Sequence, residues 1–185
     1  MIDRVSVGRV MKRALMMCAV AAPIYAQSAL EYDVKAALLL NFARFIEWPD
    51  AAFDGPGAPI NVCVMAPSPF GQALDRVLSG ETVSSRPLAA REIRSAAESS
   101  GCHLLFVPAG AEARAAAVTR KVGLHTIMVG ESRRFEDMGG AVNFIVDGGR
   151  IRFNVNLQPV EDRGVRISAR MLQLASRVDR APQQK

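Results

Sequence analysis

The sequence has few of the residues from which metal and catalytic sites are usually built. Its 185 residues include three cysteines and two histidines, His103 and His125. No histidine or third cysteine stands at ligand spacing from another cysteine, so we expect no metal site. The sequence also lacks a glycine-rich phosphate loop with its lysine and a nucleophile elbow. These absences disfavour P-loop nucleotide hydrolysis and α/β-hydrolase chemistry.

The two histidines are the main candidates for acid–base catalysis. A general base usually stands beside a nucleophile or a carboxylate. His103 begins an apolar run and His125 directly precedes another, which favours a structural role for both. We therefore expect a protein without catalytic activity or cofactor. An exported hydrolase using either histidine is kept as an alternative.

The sequence has no apolar run long enough for a membrane anchor, which needs about 18 residues. The longest run, Ala14 to Ala22, follows Lys12 and Arg13 and is interrupted by Pro23. A basic region, a short apolar region and a small residue at Ala26 together indicate a secretory signal peptide. We predict that residues 1–26 are removed, that residues 27–180 form a single domain and that residues 181–185 are a disordered tail. A short core helix or an anchor is the alternative for the apolar run.

Without residues 1–26, the chain also has only a small excess of positive charge. The formal net charge of the whole chain is +5, but residues 1–26 contain four of the basic residues and one of the acids, which leaves a net charge of +2. The remaining Lys and Arg are dispersed among acids, and aromatic residues do not interleave with them. We therefore expect no nucleic-acid partner.

Only two cysteines remain when Cys18 leaves with the leader. An even pair, Cys63 and Cys102, in an exported chain predicts a disulfide. Closing a loop of about 40 residues stabilises the fold by roughly 4 kcal/mol in the chain-entropy model. The alternative is a pair of buried free thiols, since core strands often carry cysteine as a small apolar residue.

Apolar runs alternate with helical patterns along the rest of the chain. This alternation predicts a three-layer α/β domain with a mainly parallel sheet of about six strands, flanked by helices. A helical period covers Glu31 to Trp48, and Asp147-Gly148-Gly149 joins two extended runs as an antiparallel C-terminal hairpin. A terminal helix is expected over Ser168 to Val178. In a doubly wound order the strands carrying Cys63 and Cys102 would be neighbours.

Ligands of open α/β sheets lie beyond the carboxyl ends of the strands. The loops there are Ala66-Pro67-Ser68, Pro108-Ala109-Gly110 and Gly130-Glu131-Ser132. None carries a strong motif, and anion binding by free N–H groups at the following helices is a weak option.

Two apolar segments are the better candidates for binding. Trp48 is expected to be partly exposed at the end of the first helix. The C-terminal segment has more apolar residues than one terminal helix must bury, which indicates a partner surface, with core packing as the default alternative. Its candidate residues are Val165, Ile167, Met171, Leu172 and Leu174.

With these residues placed, the chain resembles the YfiR family of exported bacterial proteins over nearly all of its mature length. The cysteine spacing also looks like that of a family disulfide, although a second bridge of the best-known member has no counterpart here. The motifs that carry the resemblance are Lys35-Ala36-Ala37, Asn41-Phe42, Phe45 to Pro49, Gly139-Gly140, Phe153 to Asn156, Gly164, Ile167-Ser168 and Leu172 to Ala175.

The resemblance implies a periplasmic α/β protein, often dimeric, that acts without catalysis. Such a protein binds the periplasmic sensor domain of an inner-membrane diguanylate cyclase and holds the cyclase inactive. Its release under envelope or redox stress would raise cyclic di-GMP and favour biofilm formation. The resemblance also places part of the partner surface in the C-terminal apolar segment. Small ligands are proposed for some members, so a periplasmic small-ligand receptor is the alternative function.

Overall fold

The structure is a computed structural model that describes residues 22–119 and 122–180. Most of the predicted signal peptide and the predicted tail, 181–185, lie outside these ranges, so both stay predictions. The predicted cleavage site after Ala26 falls within the opening of the first helix. No helix in the described ranges is long and apolar enough to cross a membrane.

Within the described ranges, the first and longest helix is α1 (Ala22–Phe45), which packs along the sheet. One face is buried because apolar residues such as Leu39, Phe42 and Ala43 recur at helical spacing. The helix was expected to reach Trp48, but it ends at Phe45. Residues 46–47 are extended and pair with a second strand, and the residue before Pro49 is disfavoured from helical geometry.

The other elements alternate strands and short helices, as predicted. In chain order they are β1 (Ile46–Glu47), β2 (Ile60–Met65), α2 (Ala73–Leu78), β3 (Thr82–Val83), β4 (Arg86–Ile93), β5 (Leu104–Val107), α3 (Glu112–Thr119), β6 (Ile127–Gly130), β7 (Val142–Asp147), β8 (Arg150–Asn156), α4 (Gln158–Glu161), β9 (Arg166–Ile167), α5 (Ala169–Leu174) and β10 (Arg177–Asp179).

The main sheet has eight strands in the order β10-β8-β7-β6-β5-β2-β4-β3. All neighbours are parallel except β7 with β8 and β3 with β4. Strands β5 and β6 are buried throughout, because apolar clusters lie on both faces of the sheet. The predicted three-layer class, the mainly parallel sheet and the antiparallel hairpin are confirmed. The sheet has eight strands where about six were expected, and one of them, β10, lies where a helix was expected.

The C-terminal segment differs from the expected helix over 168–178. Helix α5 covers only Ala169–Leu174, and its N-cap Ser168 accepts a hydrogen bond from the Met171 backbone N–H. The chain then becomes extended, and β10 pairs in parallel with β8. The open edge of β8 offers backbone hydrogen bonds to residues 177–179. These bonds favour an extended chain over the helix that the local periodicity predicts.

The disulfide joins Cys63 of β2 to Cys102, which lies just before β5. The two Cα atoms are 5.8 Å apart, and the residues are 39 positions apart in sequence. Strands β2 and β5 are parallel neighbours, with Cys63 opposite Leu105. The predicted disulfide and the predicted adjacency of its strands are both confirmed.

The ring of Phe135 is fully buried against two glycines. A Cβ atom added to Gly130 would lie 2.3 Å from this ring, and one added to Gly140 would lie 2.2 Å from it. Both glycines are therefore required by the space that the ring occupies. The contact joins the end of β6 to the segment that leads into β7.

The disulfide gives the first prediction. The double variant Cys63→Ser Cys102→Ser should lose about 4 kcal/mol of unfolding free energy, because the unfolded chain regains the entropy of an open loop. Urea unfolding of the oxidised protein and of the variant measures this loss. A reductant should destabilise the parent protein and leave the variant unchanged. Equal stability of parent and variant would contradict the stabilising role.

Candidate functional site

The residues predicted to bind a partner lie in or near the two-stranded sheet of β1 and β9 and in the helix α5 that follows it. Ile46 lies opposite Ile167, and Glu47 lies opposite Arg166. The backbone N–H of Ser168 donates to the carbonyl of Phe45 at 2.9 Å, which extends this pairing by one step. The pairing thus brings the end of α1, with Trp48, next to the C-terminal apolar segment.

The candidate residues on this surface differ in exposure. Leu174 is 64 % exposed, and Trp48, Ile167 and Leu172 are half-buried. The Trp48 indole N–H donates to the carbonyl of His125 at 3.1 Å, which orients the ring. Together these four residues define what we call the apolar surface.

Val165 and Met171 lie inside the core instead. Only 2 % of Val165 and 1 % of Met171 is exposed. Val165 directly precedes β9 and Met171 lies in α5, and both belong to the core cluster that also contains Phe42 and Val160. Their contribution to a partner surface would be to support it from below.

Both histidines are held by the backbone. The Nδ1 atom of His103 accepts from the N–H of Asn61 and its Nε2–H donates to the carbonyl of Ala52, each at 3.1 Å. The ring also stacks on Phe53, with centroids 4.5 Å apart. In His125, Nδ1–H donates to the carbonyl of Arg163 at 2.8 Å. His103 therefore has no ring nitrogen free for proton transfer.

A polar cleft of about 500 Å³ lies at the carboxyl edge of the sheet. Its walls come from the middle of α1, from the loops after β5 and β6, and from residues 143–146 of β7. This is the edge at which parallel α/β sheets bind ligands. The residues with polar side chains in its lining are Glu31, Tyr32, Lys35, Glu131, Ser132, Arg133 and Asn143.

A buried ion pair forms the inner wall of the cleft. Lys35 Nζ lies 2.5 Å from Glu131 Oε2, and only 4 % and 5 % of the two side chains are exposed. Lys35 also pairs with Glu31, one turn earlier on α1. Glu131 Oε1 accepts from the Tyr32 hydroxyl at 3.0 Å and from the Ala109 N–H at 2.8 Å. Charge and hydrogen bonds together compensate the cost of burying this pair.

The phenol of Tyr32 is kept neutral by this environment. Burial raises the pKa of Tyr32 well above its usual range, and the nearby carboxylate of Glu131 raises it further. Tyr32 thus acts as a hydrogen-bond donor to Glu131.

Carboxylates of the chain itself occupy the backbone N–H groups that an anion would use. Glu131 accepts from Ala109, Glu112 from Gly110 at 3.1 Å, and Glu92 from Ser68 at 3.0 Å. Backbone N–H groups at the start of α3 hold the pKa of Glu112 below its usual value. These contacts argue against anion binding at the loops after β2 and β5, because the backbone N–H groups there already bind carboxylates.

No three His, Cys, Asp or Glu side chains cluster closely enough to hold a metal ion in the part of the chain that the structure describes. Sequence reasoning did place Glu131 in a loop worth inspecting. It missed Tyr32 and Lys35, which lie about one hundred positions earlier. A lysine on an apolar helical face is the sequence signal from which a buried ion pair at Lys35 could have been predicted.

Three comparisons place the chain among known proteins. A family model described as YfiR/HmsC-like matches residues 32–176, a range that contains the cleft residues from Tyr32 onward and the whole apolar surface. No curated protein sequence matches the chain significantly.

Two solved structures are similar in fold. One is the ABC domain in complex with L-Trp from Streptococcus pneumonia, with a TM-score of 0.52 and 10 % identity over 78 % of this chain and 60 % of that one. The other is a conserved domain protein from Vibrio cholerae, with a TM-score of 0.47 and 9 % identity over 64 % of this chain and 54 % of that one. The chain thus spans less than two thirds of either protein, and at this identity the likeness concerns the fold alone.

The buried ion pair gives the second prediction. Lys35→Met should cost about 3–5 kcal/mol of unfolding free energy, because Glu131 stays buried without its cation. Adding Glu131→Gln should recover part of this loss, since the amide oxygen can still accept from Tyr32. Chemical unfolding of both variants measures the two effects.

The exposed pair of Arg166 and Glu47 is the matched control. Its side chains are 83 % and 63 % exposed. Arg166→Met should therefore change stability by at most about 1 kcal/mol. A Lys35→Met loss as small as that of Arg166→Met would contradict the buried pairing.

His103 gives the third prediction. Burial lowers its pKa below the ordinary value, so the folded state disfavours the imidazolium form. The unfolded chain therefore binds more protons, and stability should fall as pH is lowered from the ordinary pKa of about 6.5 toward the folded value. A His103→Gln variant should show a shallower decline between pH 7.5 and 5.5 in urea unfolding. Identical pH slopes would contradict this assignment.

Proposed function

The chain belongs to the YfiR/HmsC-like family, and we propose that it represses a membrane-bound diguanylate cyclase by binding the cyclase's periplasmic sensor domain. Family membership supports a periplasmic regulatory role. In the proposed mechanism, the bound repressor holds the cyclase inactive without catalysing a reaction. Its release raises cyclic di-GMP.

The observation that carries this proposal is the apolar surface formed where β1 meets β9. Trp48 and Ile167 are half-buried at this pairing, Leu174 in the following helix α5 is 64 % exposed, and Glu47 and Arg166 form an exposed ion pair across the two strands. Protein interfaces commonly have such an apolar, aromatic centre inside a charged rim. A tryptophan held in one orientation is also a typical anchor residue, because little side-chain entropy is lost on binding.

The disulfide supports both the location and the regulation that we propose. Such bonds persist in oxidising compartments, so Cys63–Cys102 fits the periplasm. The bond joins β2 to the residues just before β5, and its loss should lower the population of the binding-competent fold. Reduction should therefore weaken repression. We also propose a homodimer, which light scattering of the purified protein would test.

The fourth prediction tests the partner surface. The oxidised protein, purified from the periplasm and immobilised, should capture a diguanylate cyclase from solubilised inner membranes, identified by mass spectrometry. Ile167→Asp and Leu174→Asp should reduce this capture by about tenfold or more, because each places a charge in an apolar contact. Cells carrying the same variants should contain more cyclic di-GMP than cells with the parent protein.

Val146→Asp is the matched control, because Val146 is also 64 % exposed but lies on the β7–β8 hairpin. It should capture the cyclase as well as the parent does. Equal loss in all three variants would indicate general misfolding, which circular dichroism would reveal. Failure of the correctly folded parent to capture any cyclase would overturn the proposal.

A further inference from the structure

Strand β10 forms one end of the main sheet, and no strand pairs with its outer edge in the described ranges. Every residue from 176 to 180 is exposed, and Val178 in the middle of the strand is 40 % exposed. An open edge of this kind presents backbone N–H and C=O groups that can pair with a strand of another chain. The edge of β10 is therefore a candidate interaction surface.

The backbone groups of β10 alternate between β8 and the open edge. The carbonyl of Asp179 accepts from the N–H of Leu157, directly after β8, at 2.9 Å. Because successive residues of a strand direct their backbone groups to opposite sides, those of Val178 face outward. Val178 can therefore exchange two hydrogen bonds with one residue of an antiparallel strand.

The side chains of β10 carry one charge of each sign. Arg177 and Asp179 lie on the same face of the strand, and Arg177 Nε is 2.8 Å from Asp179 Oδ2. Arg177 also pairs with Glu136. Many edge strands are protected from self-pairing by charged side chains, especially lysines. Charges of one sign repel a second copy, whereas the two charges of β10 are opposite.

A two-fold axis through Val178 makes this edge self-complementary. Two copies paired about that axis are antiparallel, so Val178 lies opposite itself and Arg177 lies opposite Asp179 of the second copy. Opposite charges that face each other across two strands stabilise the pairing, and like charges destabilise it. Moving the axis to Arg177 or to Asp179 would place like charges opposite each other. The charges therefore favour the register centred on Val178.

We propose that two copies of this chain dimerise by antiparallel pairing of their β10 strands about Val178, which joins their main sheets edge to edge. The pairing gives an interface to the homodimer proposed above and rests on that dimer. Val178 exchanges both backbone hydrogen bonds with its copy, and Arg177 forms an ion pair with Asp179 of the second copy. Because the strand has only three residues, we expect a dissociation constant of about 1 µM or more.

The fifth prediction exchanges the charges of this edge. Asp179→Lys makes the edge wholly positive, and Arg177→Glu makes it wholly negative. Each variant should self-associate at least about tenfold more weakly than the parent, because like charges then lie opposite each other. An equimolar mixture of the two variants should associate within about threefold of the parent affinity, because their edges complement each other at both positions. Sedimentation equilibrium of the proteins purified from the periplasm measures these affinities.

A cross-link tests the register directly. Hydrogen-bonded residues of antiparallel strands have Cα atoms about 5.5 Å apart, which is within disulfide range. Val178→Cys should therefore give a disulfide-linked dimer on a non-reducing gel, with the bond mapped to position 178. Val146→Cys is the control, because Val146 is 64 % exposed but lies on the β7–β8 hairpin, and it should cross-link far less.

Asp147→Lys is the matched control for the charge variants. Asp147 is an exposed acid that also pairs with an arginine, Arg152, but it lies on the β7–β8 hairpin. This variant should dimerise like the parent. Urea unfolding curves of all variants identify any that are misfolded.

The possible failures can be told apart. A parent that stays monomeric up to about 1 mM would overturn both this pairing and the homodimer proposed above. A dimer that is unchanged in Asp179→Lys, or a mixture that associates no better than its two components, would overturn the pairing alone. Cyclase capture is measured with Ile167→Asp and Leu174→Asp in a separate assay, so the proposed repression stands or falls independently.

Discussion

The rest of the molecule is arranged around a lysine buried in an apolar helix face. Burying the Lys35 ammonium costs free energy unless counter-charges lie close to it, and Glu131 and Glu31 supply these charges. This requirement fixes the rotation of α1 and its position along the sheet, because Glu131 is held at the end of β6. With its middle anchored, the helix delivers Phe45 and Ile46 to the pairing with β9. The cleft and the β1–β9 pairing therefore both depend on the position of this one helix.

The carboxyl edge of the sheet shows how one fold can serve different ligands. In many parallel α/β proteins the loops at this edge present free N–H groups to phosphates or other anions. Here Glu92, Glu112 and Glu131 fill those N–H groups from within the chain. The architecture is kept, but these N–H groups are already bonded to carboxylates of the chain. Three side chains make this difference, and the backbone of the fold is unchanged.

Much of the architecture could be predicted because it depends on short-range patterns. The apolar runs around Cys63 and Leu105 read as buried strands, and strand adjacency then made the disulfide plausible. The pair of Lys35 with Glu131 could not be predicted, because a distance of about one hundred positions carries no local signal. The exposure of Val165 and Met171 was misjudged for a related reason. Which side chains of so short a segment point inward is decided by the tertiary neighbours and not by the periodicity of the segment.

The Phe135 ring, held between Gly130 and Gly140, restricts how this sequence can diverge. A methyl group at either glycine would overlap the ring, so a single step to alanine at 130 or 140 is blocked while Phe135 remains. Replacing Phe135 first would leave a cavity in the core, which is itself destabilising. Any series of single substitutions from Gly130, Phe135 and Gly140 to another well-packed set of residues therefore passes through a less stable variant. Among related sequences, these three positions are expected to change as a set.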